Sequence, residues 1–209
     1  MEPFNLQDHS HRRLNILTGE WVLVSPHRAK RPWNGKTEPV SPDAKPHYDP
    51  GCYLCPGNTR ASGDVNPRYT DTYVFQNDFS ALLPDTPDGE TDLDGLLVAR
   101  AERGICRVIN FTPDHSLTMA EMSVPALRKV VDLWAEQYTE LGALDWIRHV
   151  QIFENKGGIM GNSNPHPHGQ IWAQNSIPAE PAKKTARQKD YFDRTGRHLL
   201  TDYIEKELT

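Results

Sequence analysis

The segment Asn164-Pro165-His166-Pro167-His168-Gly169-Gln170-Ile171-Trp172 is the most informative stretch of the chain. In an extended backbone, residues two apart face the same side, so His166, His168 and Gln170 can line one surface. Three polar groups on one face of an otherwise apolar strand need partners, and a phosphate or a metal ion would supply them. A neutral imidazole nitrogen is a competent nucleophile at phosphorus when its other nitrogen is held protonated by an acceptor. The resulting phosphoramidate is reactive enough to be discharged to a second phosphate. Gln170 could hydrogen-bond the phosphoryl oxygens while charge shifts during transfer. The spacing equally allows both histidines to be metal ligands, or one to be merely packed. The flanking prolines fix the backbone around the histidines, which suits rigid placement.

A second chemical signal is Cys52-x-x-Cys55, followed at once by Pro56-Gly57. This spacing lets both sulfurs turn toward one ion from a tight knuckle, and zinc would then need two further ligands to close a tetrahedron. Nine histidines are available, among them His115 in Pro113-Asp114-His115 and His166. The competing reading is a reduced cysteine pair with no ion. A thioredoxin-like redox pair needs the motif at the head of a helix, which Pro56-Gly57 disfavours. With Cys106 as the third cysteine, there are too few for a disulfide framework.

Several elements must hold these groups in place. Residues 15–20 read as a turn leading into an apolar strand, Trp21-Val22-Leu23-Val24. From Pro26 to Pro50, proline and basic residues (Arg28, Lys30 and Arg31 first) indicate an extended surface loop. Short strands are expected at Tyr73-Val74-Phe75, at 95–99 and at 105–111. One long helix is expected over 124–141, where Leu127, Val130, Val131, Trp134, Tyr138 and Leu141 recur at helical spacing. Ser123 and Pro125 mark its start, and Gly142 stands where a C-terminal cap is expected. Strands at 147–153 and 168–173 flank a Gly/Asn-rich loop, and the tail from about residue 182 is helical in character. The pattern predicts an α+β fold with a mostly antiparallel sheet, one main packed helix and C-terminal helices.

The chain has 209 residues, a length that suits a single domain, and no internal repeat divides it. Hydrophobic residues make up 37% and charged residues 24%, enough for a packed core under a polar surface. A formal net charge of -5 gives no broad attraction to nucleic acid or to an anionic membrane. Any phosphate must therefore be held by a few placed donors. No apolar run approaches the roughly 18–20 residues that cross a bilayer, and the N-terminus lacks a signal-peptide pattern. The expectation is a soluble cytoplasmic protein.

Taken together, the motifs resemble the galactose-1-phosphate uridylyltransferases, of the wider histidine-triad-like superfamily. The resemblance is carried by His11-Arg12-Arg13-Leu14-Asn15, by Trp21 to Trp33, and by Cys52-x-x-Cys55-Pro56-Gly57-Asn58. It continues through Tyr73 to Phe79, Pro113-Asp114-His115-Ser116, Phe153 to Gly157, and Ser163 to Gln170. It implies a half-barrel sheet of the histidine-triad-like kind and a structural zinc on Cys52, Cys55, His115 and His166. It implies His168 as the nucleophile and Gln170 as the residue that steadies the phosphoryl group. Uridine and diphosphate are then expected near Phe75, Asn77, Asp78, Asn155, Gly161, Ser163 and Gln170. Arg28 and Arg31 match a basic pair facing substrate phosphate, in one reading across a neighbouring subunit.

The implied reaction is ping-pong, with UDP-glucose uridylylating His168 and galactose 1-phosphate collecting the uridylyl group as UDP-galactose. Family members carry a second, similarly folded half after this region and are expected to be homodimers when it is present. The sequence in hand ends at Thr209. The resemblance does not extend to a second, iron-type metal site. Where that site takes a glutamate shortly after the His-Pro-His strand, this chain reads Pro181-Ala182-Lys183-Lys184, with Glu180 the only nearby acid. The alternative is a zinc- and UDP-sugar-binding fragment without full turnover, or another histidine-dependent transferase or hydrolase of the same superfamily.

Overall fold

The computed structural model describes residues 3–32, 45–162 and 164–209. Most of the proline-rich loop expected after Pro32, and Ser163, lie outside the described residues. In chain order the elements are β1 (His11–Leu14), β2 (Trp21–Val24), β3 (Tyr73–Gln76), β4 (Glu90–Leu93), β5 (Leu97–Arg100), β6 (Gly104–Asn110), α1 (Val124–Gly142), β7 (His149–Phe153), β8 (His168–Gln174), α2 (Ala179–Thr195) and α3 (Leu199–Glu207). All strand pairs are antiparallel, as the sequence pattern predicts. The chain divides into two compact units, one of residues 41–176 and one of residues 1–40 with 177–209.

The larger unit is built on an open sheet in the order β3-β6-β8-β7. Period-two alternation gives the sheet two distinct faces. Ile109, Ile171, Ala173 and Val150 point to one side and pack with Val130 and Leu141 of α1, together with Phe111, Met122 and Ile147. Helix α1 starts as its sequence suggests: Ser123 is the N-cap and its hydroxyl accepts from the Ala126 N–H, with Pro125 in the first turn. Gly142 is the last helical residue rather than the cap, because Ala143 stays in right-handed helical conformation and bonds back to Thr139. On this side, Arg107 reaches from β6 to Glu140 through two bonds of 2.9 and 2.7 Å, a bidentate pair tying sheet to helix.

The opposite face carries the expected site residues of the strands. Paired positions put Tyr73, Asn110 and His168 in one row across the sheet and Phe75, Val108, Gln170 and Phe153 in the next. Gly169 sits between His168 and Gln170 and points toward the α1 side. A Cβ there would lie 2.8 Å from both the Phe111 ring and the Phe153 carbonyl oxygen. Gly169→Ala is therefore expected to cost about 1–3 kcal/mol through overpacking, measured as a lower urea midpoint. An unchanged midpoint would show that this close approach is not constraining.

The smaller unit contains the β1–β2 hairpin, closed by the expected turn at 15–20 with Gly19 at φ 76°. β1 was not anticipated, because His11-Arg12-Arg13-Leu14 offers no apolar alternation. The segment Pro26–Lys30 is a short 3-10 helix rather than extended chain, with Pro26 supplying its preset φ. The helical tail is two helices: α2 ends where Gly196 takes φ 67° and donates to Phe192 O. No described helix is long and apolar enough to cross a membrane.

Candidate active site and metal centre

Three segments far apart in sequence bring Cys52, Cys55, His115 and His166 together, with ligand atoms all within 4.8 Å of one another and every residue buried. The knuckle forms because Cys55 N–H bonds to Cys52 O at 3.1 Å and Gly57 turns at φ 79°. Two asparagine amides brace it. Asn58 Nδ2 donates to Asp49 O and Cys52 O at 2.9 and 2.8 Å, and Asn66 Nδ2 donates to Tyr53 O and Cys55 O. Cys55 Sγ lies 3.5 Å from His115 Nδ1 and 3.6 Å from His166 Nδ1. Zinc-type bonds of about 2.3 Å to sulfur and 2.0 Å to nitrogen give a tetrahedral S···N edge of about 3.5 Å. Two thiols and two imidazoles at these separations fit a closed, structural metal site.

Backbone carbonyls set the histidine tautomers. His166 Nε2 lies 2.9 Å from Thr112 O, an acceptor only, so Nε2 carries the proton and Nδ1 presents its lone pair to the cluster. Tyr69 adds support: its hydroxyl donates to Leu54 O at 2.6 Å and sits 3.2 Å from His166 Nε2. Burial pushes the Cys55 thiol up to about 11 and the His166 imidazole down to about 4. His115 is lowered as well, again chiefly by burial. The pocket thus favours neutral donors, and a bound cation is what would draw the thiol proton off.

The His166 value has a direct consequence for stability. The unfolded imidazole, near 6.5, binds a proton that the folded one refuses until about 4. The contribution of neutral His166 is therefore complete above pH 6.5 and is lost as pH falls through 4. In chelator, stability is expected to drop by about 3 kcal/mol across that window, at about 1.4 kcal/mol per pH unit. Urea midpoints should show it, and His166→Asn should flatten the slope. A parallel slope in the variant would assign the effect to other groups.

His168 opens β8 and uses the same device. Its Nδ1 is 2.7 Å from His166 O, which fixes the proton there and leaves Nε2 as the atom with a free lone pair. The residue lines a pocket of about 450 Å3 together with Phe75, Asn77, Asp78 and Gln170. Gln170 Oε1 accepts from Trp172 Nε1 at 3.1 Å. Indole N–H is a donor only, so the amide orientation is set and Gln170 offers its NH2 to a ligand. Asn77 Oδ1 closes a turn with Phe79 N–H at 3.0 Å, which leaves its NH2 to donate as well.

The pocket therefore unites five of the expected site residues: Phe75, Asn77, Asp78, His168 and Gln170. Asn155 is exposed just beyond β7, and Gly161 ends a 3-10 turn at φ 81°; neither lines this pocket. Their loop borders a separate cavity of about 300 Å3 that reaches Pro165, His166 and Pro167. Arg28 lies in the 3-10 helix and Arg31 caps it, both exposed and both in the smaller unit. Sequence reasoning missed Tyr53, Leu54, Ala61, Phe79 and Val108 as lining. Phe79 stood within the Tyr73 to Phe79 motif and Val108 on the same strand face as Asn110, but neither signal marked a pocket wall.

The antiparallel sheet and the helix packed on it define an α+β fold. The family model described as galactose-1-phosphate uridyl transferase, N-terminal domain, matches residues 2–178, and the chain belongs to this family. A galactose-1-phosphate uridylyltransferase of Haemophilus influenzae is 52% identical over 206 residues, covering 98% of this chain and 58% of that protein. The Rattus norvegicus enzyme of the same name is 48% identical, covering 98% of this chain and 54% of its own length. The chain thus spans somewhat over half the length of these relatives. Among solved structures, a uridylyltransferase superposes with TM-score 0.65 at 24% identity, over 95% of this chain and 56% of that one. An ADP-glucose phosphorylase from Arabidopsis thaliana with bound ADP-glucose gives 0.65 at 22%, over 91% and 56%. These two establish likeness of fold.

Proposed function

We propose that this chain is the nucleophile-bearing N-terminal domain, residues 1–209, of a uridylyltransferase of galactose metabolism. It moves UMP from UDP-glucose to galactose 1-phosphate through a covalent uridylyl-histidine. The observation that carries this reading is His168: its Nδ1 proton is held by His166 O at 2.7 Å, and its ring lines a pocket of nucleotide size. In the first half-reaction Nε2 attacks the uridylyl phosphorus of UDP-glucose. A P–N bond forms, the phosphoanhydride P–O bond breaks, and glucose 1-phosphate leaves with the electron pair. The imidazole then carries positive charge, with Nδ1–H still on the carbonyl. In the second, a phosphate oxygen of galactose 1-phosphate attacks the same phosphorus, and the P–N bond breaks to return neutral His168.

The Gln170 NH2 donates to the phosphoryl oxygens as their charge rises. Asn77 and Asp78 hold the nucleoside, and Phe75 offers its ring to the base. Asn155, Gly161 and Ser163 are assigned to the diphosphate, and Arg28 and Arg31 to substrate phosphate. Cys52, Cys55, His115 and His166 would hold Zn2+, whose contribution is structural: it fixes the segment leading into His168. UDP-glucose, UDP-galactose and the hexose 1-phosphates are the expected partners, in a cytoplasmic homodimer of the longer family form.

The test is intact mass after mixing the zinc-loaded chain with UDP-glucose, quenched in alkali to preserve the phosphoramidate. One uridylyl adduct is expected. Its absence at full zinc occupancy would reduce the chain to a zinc- and UDP-sugar-binding fragment.

A further inference from the structure

Arg60 was not anticipated as a site residue, does not line the pocket, and yet ends beside it. Its side chain is only 10% exposed, which is costly for a guanidinium unless its charge is answered. Two carboxylates answer it. Nη2 donates to Asp64 at 2.8 Å, and Nε lies 3.4 Å from Asp78 Oδ1. Asp64 is 68% exposed and would serve any surface pair, whereas Asp78 is 12% exposed and lines the pocket. The guanidinium also lies over the Phe75 ring, 4.3 Å from its centroid, and Nη1 donates to the Tyr73 hydroxyl at 3.4 Å. One cation therefore touches two of the groups that shape the pocket without entering it.

Asp78 is the single acidic residue lining this pocket among the described residues. A carboxylate accepts hydrogen bonds and offers none, so it selects ligand donors. The vicinal hydroxyls of a ribose present two donors side by side, matching two carboxylate oxygens. An unanswered carboxylate beside a phosphate-binding nucleophile would repel the rest of the ligand. Arg60 removes that repulsion and holds the group in place. Its Nε–H is buried without a hydrogen bond, so the pair is close enough for charge yet keeps an unspent donor. The backbone N–H of Ser62 approaches Asp78 Oδ2 at 3.4 Å from the same turn.

We propose that Arg60 is a positioning residue that sets Asp78 to read the cis-diol of a bound nucleotide's ribose, an inference that rests on the nucleotide-pocket reading above. The test is calorimetric titration of the zinc-loaded full chain with UDP and with 2′,3′-dideoxy-UDP, for the parent, Arg60→Met, Arg60→Lys and Asp78→Asn. The parent is expected to prefer UDP by about 10- to 100-fold, the range for hydrogen bonds to a charged group. Arg60→Met keeps an apolar stem over Phe75 and is expected to bring the two ligands near parity, chiefly by weakening UDP. Arg60→Lys is expected to recover part of the preference. A purely structural Arg60 would lower both affinities by one factor and leave the preference intact, which overturns the proposal. A parent that binds both ligands equally overturns it too. A parent that binds neither sinks the nucleotide-pocket reading itself, and this proposal with it. Where Arg60→Met does not fold, Asp78→Asn decides, since an undiminished preference there leaves Arg60 nothing to position.

Discussion

Cys55→Ser is expected to strip the bound metal from the larger unit and lower its melting temperature by more than about 10 °C. Cys55 is fully buried and within 3.6 Å of both ligand histidines, so its loss opens the tetrahedron at its centre. The ion would join the knuckle at 52–55, the turn at 115 and the segment entering β8, and Cys55 and His166 are 111 positions apart. Structural zinc contributes about 10–16 kcal/mol of apparent binding free energy in small domains, as much as the whole stability of a typical protein. Even half of that, at about 2–4 °C per kcal/mol for a chain of this size, gives the stated shift. Metal content by mass spectrometry and a thermal scan check it, and excess chelator should reproduce it in the parent. Equal metal content and an unmoved transition in the variant would remove the ion from the account.

His168→Ala is expected to abolish the uridylyl adduct and to lower turnover by about 10^4-fold or more, as removal of a covalent nucleophile does elsewhere. The fold should survive, because His168 is half-buried at the start of β8 and donates to one backbone carbonyl outside the ladder. Gln170→Glu is the informative companion. It puts a second acceptor where the phosphoryl oxygens need a donor, so turnover is expected to fall by about 10^2- to 10^3-fold while the adduct still forms slowly. A His168→Ala protein that still forms the adduct would move the nucleophile to another residue. Retained zinc and an unchanged melting temperature in both variants separate a chemical loss from a folding loss.

Local signals found most of the sheet and the main helix. Strands β6, β7 and β8 show as short stretches rich in β-branched and aromatic residues, and α1 shows as helical periodicity with a serine cap. The hairpin β4–β5 was half seen, because Glu90-Thr91-Asp92-Leu93 has no apolar face and its pairing is visible only in register with Leu97–Arg100. The 3-10 turn at Pro26–Lys30 was hidden by composition, since proline fits an extended loop and a helix start equally well. The break between α2 and α3 was overlooked although Gly196 marked it.

What the sequence determined by itself was the inventory of reactive groups: a cysteine pair at knuckle spacing, two histidines two residues apart, and a glutamine on the same side of the strand. It left open which histidine does what, because spacing fixes the face of a strand and not the partner of a ring nitrogen. The folded structure supplies those partners. Thr112 O accepts from the Nε2–H of His166 and turns Nδ1 to the cysteines, while His166 O accepts from the Nδ1–H of His168 and leaves Nε2 to the pocket. The same holds for Arg60, an ordinary loop arginine in the sequence. Folding lays its guanidinium over Phe75 and beside Asp78 because the 58–66 turn is bridged at Thr59 and Val65. Residue types limit which chemistry is available; the groups that aim it come from the neighbouring backbone for His168 and from a distant strand end for His166.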